Sequence, residues 1–356
     1  MANQILYGFR NLTDVFTDRV TQVGVNVMNT AIDETLAEHN RQLNALMALF
    51  ADSTTEYKRR YKTAMAARLQ PLDELGRARP IRTSGFYDIA FPLQGAGVAW
   101  GQTYEARIKS TVQDTNNTMN TLLTADARWM RDHLLAALFV NASWTYNDED
   151  KGALTVKGLA NGDTDTYHIQ EGADSGATDT HYFAQANAID NSNDPFPTIH
   201  SELKEHPENG GDFIAFVPTG LKESVKGLTG FYPVTDSNIR YGANVSVLDA
   251  NVSANLPGEI FGYHDDGMWL CEWKSMPANY IIAVTTDGDR PLAMREDTVP
   301  ELQGFNRVAS RDDHPYYESQ YLRKAGFGAQ NRVGAVVYRI GNGSYAIPTG
   351  YASPMA

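Results

Sequence analysis

The stretch that most limits what this chain can become is Asn117 to Ala142, NTMNTLLTADARWMRDHLLAALFVNA, which contains neither Gly nor Pro. Met119, Leu123, Ala127, Met130, Leu134 and Leu138 recur at the spacing of one helix face. A second, partial stripe runs through Leu122, Trp129, Leu135 and Phe139, so neighbours must cover the helix on more than one side. At about 1.5 Å per residue, roughly 26 residues span on the order of 39 Å, the width of a small domain. The segment reads as a spine along which everything else packs. Taken alone, an ordinary core helix satisfies the same pattern.

Before the spine lies an amphipathic helix from about Val25 to Phe50, with Met28, Ile32, Leu36, Leu43, Leu46, Met47 and Phe50 at helical spacing. Gly24 separates it from a shorter helical piece opening after Thr13, a fitting N-cap. The run from Tyr57 to Leu69 is also helix-compatible and stops at Pro71. Then the period changes. GFYDIAFP (Gly85 to Pro92) and VAWGQTYEARIKS (Val98 to Ser110) bracket the turn-rich LQGAG, which predicts a long β-hairpin between Leu75 and Asp114. A hairpin of that length is poorly stable alone, and its aromatic residues suit docking on a neighbouring chain.

After the spine, Asn147 to Pro195 is rich in Asp, Gly, Asn and Thr. NGDTDT (Asn161 to Thr166) and DNSND (Asp190 to Asp194) lack the ligand spacing of an EF-hand loop and read as surface turns between short strands. From Phe196 to Val284 the pattern predicts helices at Thr198–His206 and Gly220–Leu228. Strands are expected at Asp212–Val217, Val245–Leu248, Glu259–Tyr263, Met268–Trp273 and Tyr280–Thr286 in a mixed or antiparallel sheet. At the end, Ala325 to Pro348 reads as a strand pair turning at Gly341-Asn342-Gly343, its Val333–Ile340 strand too apolar to be exposed on both faces.

No spacing that supports catalysis occurs: no phosphate-binding loop, Gly-x-Ser-x-Gly, His-Glu-x-x-His or paired cysteines. His264-Asp265-Asp266 reads as a turn rather than a metal site, since adjacent strand residues point to opposite faces. The single cysteine, Cys271, sits among Trp269, Leu270 and Trp273 and reads as a buried thiol. Neither a signal peptide nor an apolar run of about 20 residues is present, which predicts synthesis in the cytoplasm and no membrane partner.

Charge is unevenly spread. The net charge is −13, yet Lys58, Arg59, Arg60, Lys62, Arg68, Arg77, Arg79 and Arg82 face only Asp73 and Glu74 in the segment from Lys58 to Arg82. A chain this acidic is poorly suited to gripping nucleic acid along a continuous surface. The basic segment suits the acidic surface of a second copy, phosphate contact and a plain solvated face being the other readings.

In their order these elements resemble a tailed-bacteriophage major capsid protein of the Hong Kong 97 type. Local wording is similar too: IFG (Ile260 to Gly262), MPANYIIAV (Met276 to Val284), PLAMRED (Pro291 to Asp297) and the ending GFGAQNRVGAVVYRIGNGSYAIP. The resemblance implies an α+β fold with a helical N-terminal arm (1–74), an extended β-hairpin loop (75–114) and a peripheral domain with the spine helix and a surface insertion (115–195). An axial domain (196–289) and closing peripheral strands (290–356) would complete it. Spine residues would be Met119, Leu123, Met130, Leu134 and Leu138. Contacts between subunits are expected at Arg59, Arg60, Arg79, Arg82, Phe86, Tyr87, Phe91, Trp100 and Tyr104.

The implied function is a shell protein, not an enzyme and without cofactor or metal, that self-assembles through hexamers and pentamers around a double-stranded DNA genome. Implied partners are a separate scaffolding protein, a portal, a decoration protein and packaged DNA held weakly and non-specifically; the implied location is the virion. Lysine-based cross-linking is not expected, because the loop has only Lys109, away from the expected tip at Gln94 to Gly97. The alternatives are an encapsulin-like compartment and, from another class, a hydrolase with an acidic site within 147–300.

Overall fold

The computed structural model describes residues 17–62, 69–78, 86–170, 175–234 and 256–355. In chain order its first elements are α1 (Val20–Val23), α2 (Val25–Met47), β1 (Ala51–Thr54), β2 (Lys58–Lys62), β3 (Phe86–Ala90), β4 (Gln94–Thr103), α3 (Tyr104–Lys109) and α4 (Val112–Phe139). There follow β5 (Trp144–Asp148), β6 (Gly152–Val156), β7 (Tyr167–Ile169), β8 (Ser175–Ala177), β9 (Tyr182–Gln185), α5 (Phe196–Lys204), β10 (Gly210–Val217) and α6 (Lys222–Lys226). The chain closes with β11 (Phe231–Pro233), β12 (Glu259–His264), β13 (Met268–Glu272), β14 (Tyr280–Asp287), β15 (Leu292–Glu296), β16 (Asn306–Asp313), β17 (Tyr316–Ala329) and β18 (Ala335–Ile340). No helix among the described residues is long and apolar enough to cross a membrane.

The spine helix α4 starts at Val112 because Thr111 and Asp114 cap it reciprocally: Thr111 Oγ1 accepts the Asp114 N–H at 3.2 Å, and Asp114 Oδ2 accepts the Thr111 N–H at 3.0 Å. Contacts divide the described chain into two compact units, the first drawn from Met1–Ala45, Leu93–Asp132 and Glu296–Gly326. There β17 lies between β16 and β4, antiparallel to both. Ile32 and Leu36 of α2, Met119 and Leu122 of α4, Phe305 and Tyr321 form its core, with Val98, Trp100 and Leu123 packed against them. The amphipathic N-terminal helix thus finds its surface within its own chain.

A buried charge sits on the apolar face of α4. That face presents Val112, Thr115, Met119, Leu122, Asp126 and Met130 inward, while Leu123 and Ala127 are half-buried. Arg323 of β17 grips Asp126 with two hydrogen bonds, Nε to Oδ1 at 2.5 Å and Nη2 to Oδ2 at 2.8 Å. His39 Nε2 lies 2.8 Å from Asp126 Oδ2, and Arg323 also donates to Asn40 Oδ1 at 2.8 Å. Asn40 in turn pairs with both backbone groups of Phe305.

The second unit is drawn from Leu46–Pro92, His133–Arg295 and Phe327–Ala356. It holds a mixed seven-stranded sheet ordered β11-β12-β13-β10-β14-β18-β9, in which β10 runs parallel to β13 and β18 parallel to β9. One face packs Phe213, Ala215, Leu270, Ile281 and Val336 under Phe196, Ile199 and Leu203 of α5 and Val225 of α6. On the other, Phe216 meets Phe50 and Trp273 with ring centroids 5.1 and 5.6 Å apart. Cover on both faces explains why DFIAFV and YIIAVT run apolar without alternation. Beside this sheet, β1 pairs in parallel with β15, and β5–β6 and β7–β8 form two antiparallel pairs.

The expected hairpin does not form. β3 pairs with β2, and β4 pairs with β17 more than two hundred residues away in sequence. The segment around Lys58–Lys62 is therefore strand where its spacing allowed helix. The alternation from Tyr104 to Lys109 belongs to the short helix α3, whose Thr103 cap accepts the Ala106 N–H at 3.3 Å. The strand pair around Gly341 is also absent: β18 takes its partners from β14 and β9, and the chain beyond Gly341 adds no strand among the described residues. The strand expected at Val245–Leu248 lies outside the described residues.

Removing one partner of the Asp126–Arg323 pair should strand the other charge in a nearly dry site. Asp126→Asn is expected to cost the isolated subunit about 3–5 kcal/mol in chemical denaturation, whereas Asp126→Leu with Arg323→Met recovers most of it.

Candidate assembly surface

The β2–β3 ribbon explains its own pairing. Opposed residues Tyr61 and Tyr87 stack with ring centroids 5.4 Å apart, and opposed Arg60 and Asp88 form an ion pair at 2.8 Å. One face is anchored: Tyr87, Ile89 and then Phe91 join a core with Ala160, Tyr167, Ala293 and Val333. The other face is open. Phe86 is 58% exposed, and the Arg60 guanidinium lies 4.4 Å above its ring.

The described basic residues here have local partners. Lys58 and Arg60 share Asp88, whose carboxyl the Arg60 hydrogen bond helps hold at about 2, and Arg59 pairs with Glu56 at 2.7 Å and donates to Gln330 at 2.7 Å. Beyond β2, Leu69, Leu72 and Leu75 are 98%, 63% and 75% exposed. A turn holds them, the Asp73 carboxylate accepting the N–H groups of Leu75 and Arg77. Gly76 supplies the positive φ of 72°.

The expected contact residues therefore separate. Arg60, Phe86 and Tyr104 are exposed, Arg59 and Trp100 are half-buried, and Arg79 and Arg82 lie outside the described residues. Tyr87 and Phe91 are core residues of their own chain and cannot serve as contacts between subunits, because the strand alternation that turns Phe86 outward turns Tyr87 inward. Of the spine residues, Met119, Met130, Leu134 and Leu138 are buried and Leu123 is half-buried.

His264, Asp265 and Asp266 sit at the expected turn, which Gly267 closes with φ 104°. Cys271 is fully buried, and loss of solvent pushes its thiol up to about 12. The acids of NGDTDT are more than a surface turn. Asp163 and Asp165 clamp the fully buried Arg332, whose remaining N–H groups reach the Gly158 and Leu159 carbonyls at 2.7 and 3.0 Å. Tyr87 and Tyr167 flank the guanidinium at 5.7 and 5.8 Å. Burial alone would raise the Asp163 carboxyl, but the Arg332 hydrogen bond and charge outweigh it and hold it below its usual value. A lone Arg in the otherwise uncharged AGFGAQNRVGAVVY-type ending was the available signal. A further group, Asp179 with His181 and His206, is almost completely buried and has the residue types of a metal site.

No family model matches this sequence, and none of the curated proteins matches it. Solved structures do. Over 100% of this chain and 99% of the other, it is similar to a chain of Mycobacterium phage Patience, with a TM-score of 0.69 at 19% identity. It is similar at lower level to the mature capsid of bacteriophage PhiM1 (TM-score 0.48, 9% identity, 83% of this chain and 86% of that one). The capsid of an empty GTA particle gives a TM-score of 0.49 at 12% identity, covering 84% and 90%. The mixed helix-and-sheet fold is thus shared end to end with the Patience chain.

Two chemical outcomes follow from the burial. Cys271 should resist thiol reagents in the native subunit at neutral pH and react only on unfolding, as titration with and without denaturant would show. Arg332→Met should destabilise the subunit by about 3–5 kcal/mol in a urea melt, since it leaves Asp163 without its cation.

Proposed function

We propose that this chain is the major capsid protein of a tailed bacteriophage, assembling through hexamers and pentamers into an icosahedral shell around double-stranded DNA. The observation that supports this best is the end-to-end likeness in fold to the Patience chain, beside the sequence resemblance. The reading is of a structural protein of the virion, made in the host cytoplasm, with a separate scaffolding protein, a portal and a decoration protein as partners.

Within that reading the extended loop is the β2–β3 ribbon with its connecting chain, rather than the segment from Leu75 to Asp114. Its exposed Phe86, Leu69, Leu72 and Leu75 would lie on a neighbouring subunit, with Arg59, Arg60, Arg79, Arg82, Trp100 and Tyr104 at further contacts. The spine helix α4, the segments 115–195 and 290–356 as a peripheral domain, and 196–289 as an axial domain complete the assignment. An acidic chain of net charge −13 would hold packaged DNA weakly and non-specifically, leaving it free to move.

Negative-stain electron microscopy of the purified chain tests the proposal. Uniform closed shells or rings of five and six are expected, and a monomer under every salt and pH condition would sink it. Phe86→Ser with Leu72→Ser should abolish shells while leaving subunit stability within about 0.5 kcal/mol, because both positions are exposed.

A further inference from the structure

Three side chains meet in an arrangement that protein atoms alone satisfy poorly. His181 and His206 are 0% and 1% exposed, and their Nε2 atoms lie 3.2 Å apart. Asp179 Oδ2 stands 2.6 Å from the first and 2.9 Å from the second. The other nitrogen of each ring is committed: His181 Nδ1 is 2.9 Å from the Ala335 carbonyl, and His206 Nδ1 is 2.9 Å from the His168 carbonyl. A carbonyl only accepts, so each Nδ1 bears a proton, and a ring with no second proton turns a bare Nε2 lone pair inward. Two such lone pairs and a carboxylate oxygen then converge on one point. Protonating both rings would instead place two positive charges 3.2 Å apart in a site sealed from water.

We propose that Asp179, His181, His206 and Glu205 bind one divalent transition-metal ion, zinc by preference, as a closed structural site. Metal-bound histidines characteristically donate their second N–H to a backbone carbonyl, which fixes the tautomer and aims the ring. Both rings do so here. Bonds of about 2.0 Å in a tetrahedron set neighbouring ligand atoms about 3.3 Å apart, the spacing the imidazole pair already has. Admitting the ion would lengthen the two carboxylate contacts by about half an ångström. Asp179 is itself oriented, its Oδ1 accepting the Thr180 N–H at 2.6 Å so that Oδ2 faces the rings. Glu205 Oε1, 3.5 Å from His206 Nε2, is the fourth donor, and its acid group lies within 4.8 Å of those of Asp179 and Glu202.

Two imidazoles with two carboxylates suit zinc better than calcium or magnesium, which favour oxygen donors only. The site fastens the lead-in to the edge strand β9 to the chain just after α5, both within the second unit. His181 already receives the Val337 N–H on its carbonyl and donates its own N–H to Ala160, so the ion would lock a crossing of the sheet edge. The inference stands on this geometry and is independent of the shell reading.

The test uses the full chain, produced without a histidine tag, equilibrated with zinc and then dialysed into metal-free buffer. Inductively coupled plasma mass spectrometry is expected to find about one zinc per chain, falling to background in His181→Gln and His206→Gln. A chelator should lower the melting temperature of the wild-type chain and leave that of His206→Gln unchanged. Should either variant fail to fold, cobalt loading of the wild-type chain decides alone: the visible absorption of tetrahedral cobalt with nitrogen and oxygen donors supports the site. Far less than one zinc per chain, no effect of chelator and no cobalt absorption would together overturn it, leaving a single proton shared between the two rings as the charge that holds the cluster.

Discussion

The constraint on which this structure most depends is that a charge withdrawn from water must meet its opposite with nearly every polar bond satisfied. Among the described residues, three arginines are buried under it. Arg323 meets Asp126, Arg332 meets Asp163 and Asp165, and Arg295 meets Asp148 at 2.7 Å while donating to the Phe91 carbonyl at 3.0 Å. In each case the partner is more than one hundred residues away in sequence. Replacement by apolar residues of the same volume is commonly neutral or favourable, so net stability is a weak reason for such pairs. What they supply is arrangement. A guanidinium fork accepts a carboxylate in one orientation, and a strand that slipped by one residue would present the wrong side chain to Asp126 or Asp163.

That same constraint marks where the sequence was legible. Helix and strand periods come from apolar side chains, so α2, α4, α5, β10, β13, β14 and β18 were all readable within a few residues of their ends. Asp126 was not, because a polar residue in an apolar stripe is indistinguishable from a gap until its partner is known. The stripe read through Leu123 and Ala127 is in fact rotated toward Leu122 and Asp126. The acids of NGDTDT look like turn formers for the same reason, since nothing nearby in sequence announces Arg332.

Strand pairing failed for a different reason. A turn-rich stretch between two apolar runs favours a local hairpin because the entropy of closing a short loop is small, and LQGAG supplied it. The pairing that formed instead rests on side-chain agreement across the ladder, Tyr61 with Tyr87 and Arg60 with Asp88. β4 found in β17 a ten-residue partner with which the alternation of its half-buried positions agrees. Loop closure grows only with the logarithm of length, so a better-matched distant strand outweighs a nearer one. Of the candidate contact residues, those chosen for aromatic character without regard to strand alternation were the least secure: Phe86 and Tyr87 are neighbours in sequence and lie on opposite sides of the ribbon.

The partners of the basic segment also alter what its charge can do. With Lys58 and Arg60 both on Asp88 and Arg59 on Glu56, the described part of the segment offers a second molecule little net field. Charge of that kind sets approach and register more than affinity, and pairs this exposed contribute little to stability. Beside those exposed ion pairs the ribbon leaves open the ring of Phe86 under its own arginine, and the connecting chain leaves open Leu69, Leu72 and Leu75. A surface of this composition gains by covering, since the guanidinium–ring contact strengthens as water is removed and the leucines leave water altogether. Of the basic residues on the ribbon, Arg60 thus does more than balance Asp88: its guanidinium lies over the Phe86 ring and helps fix that ring's place on the open face.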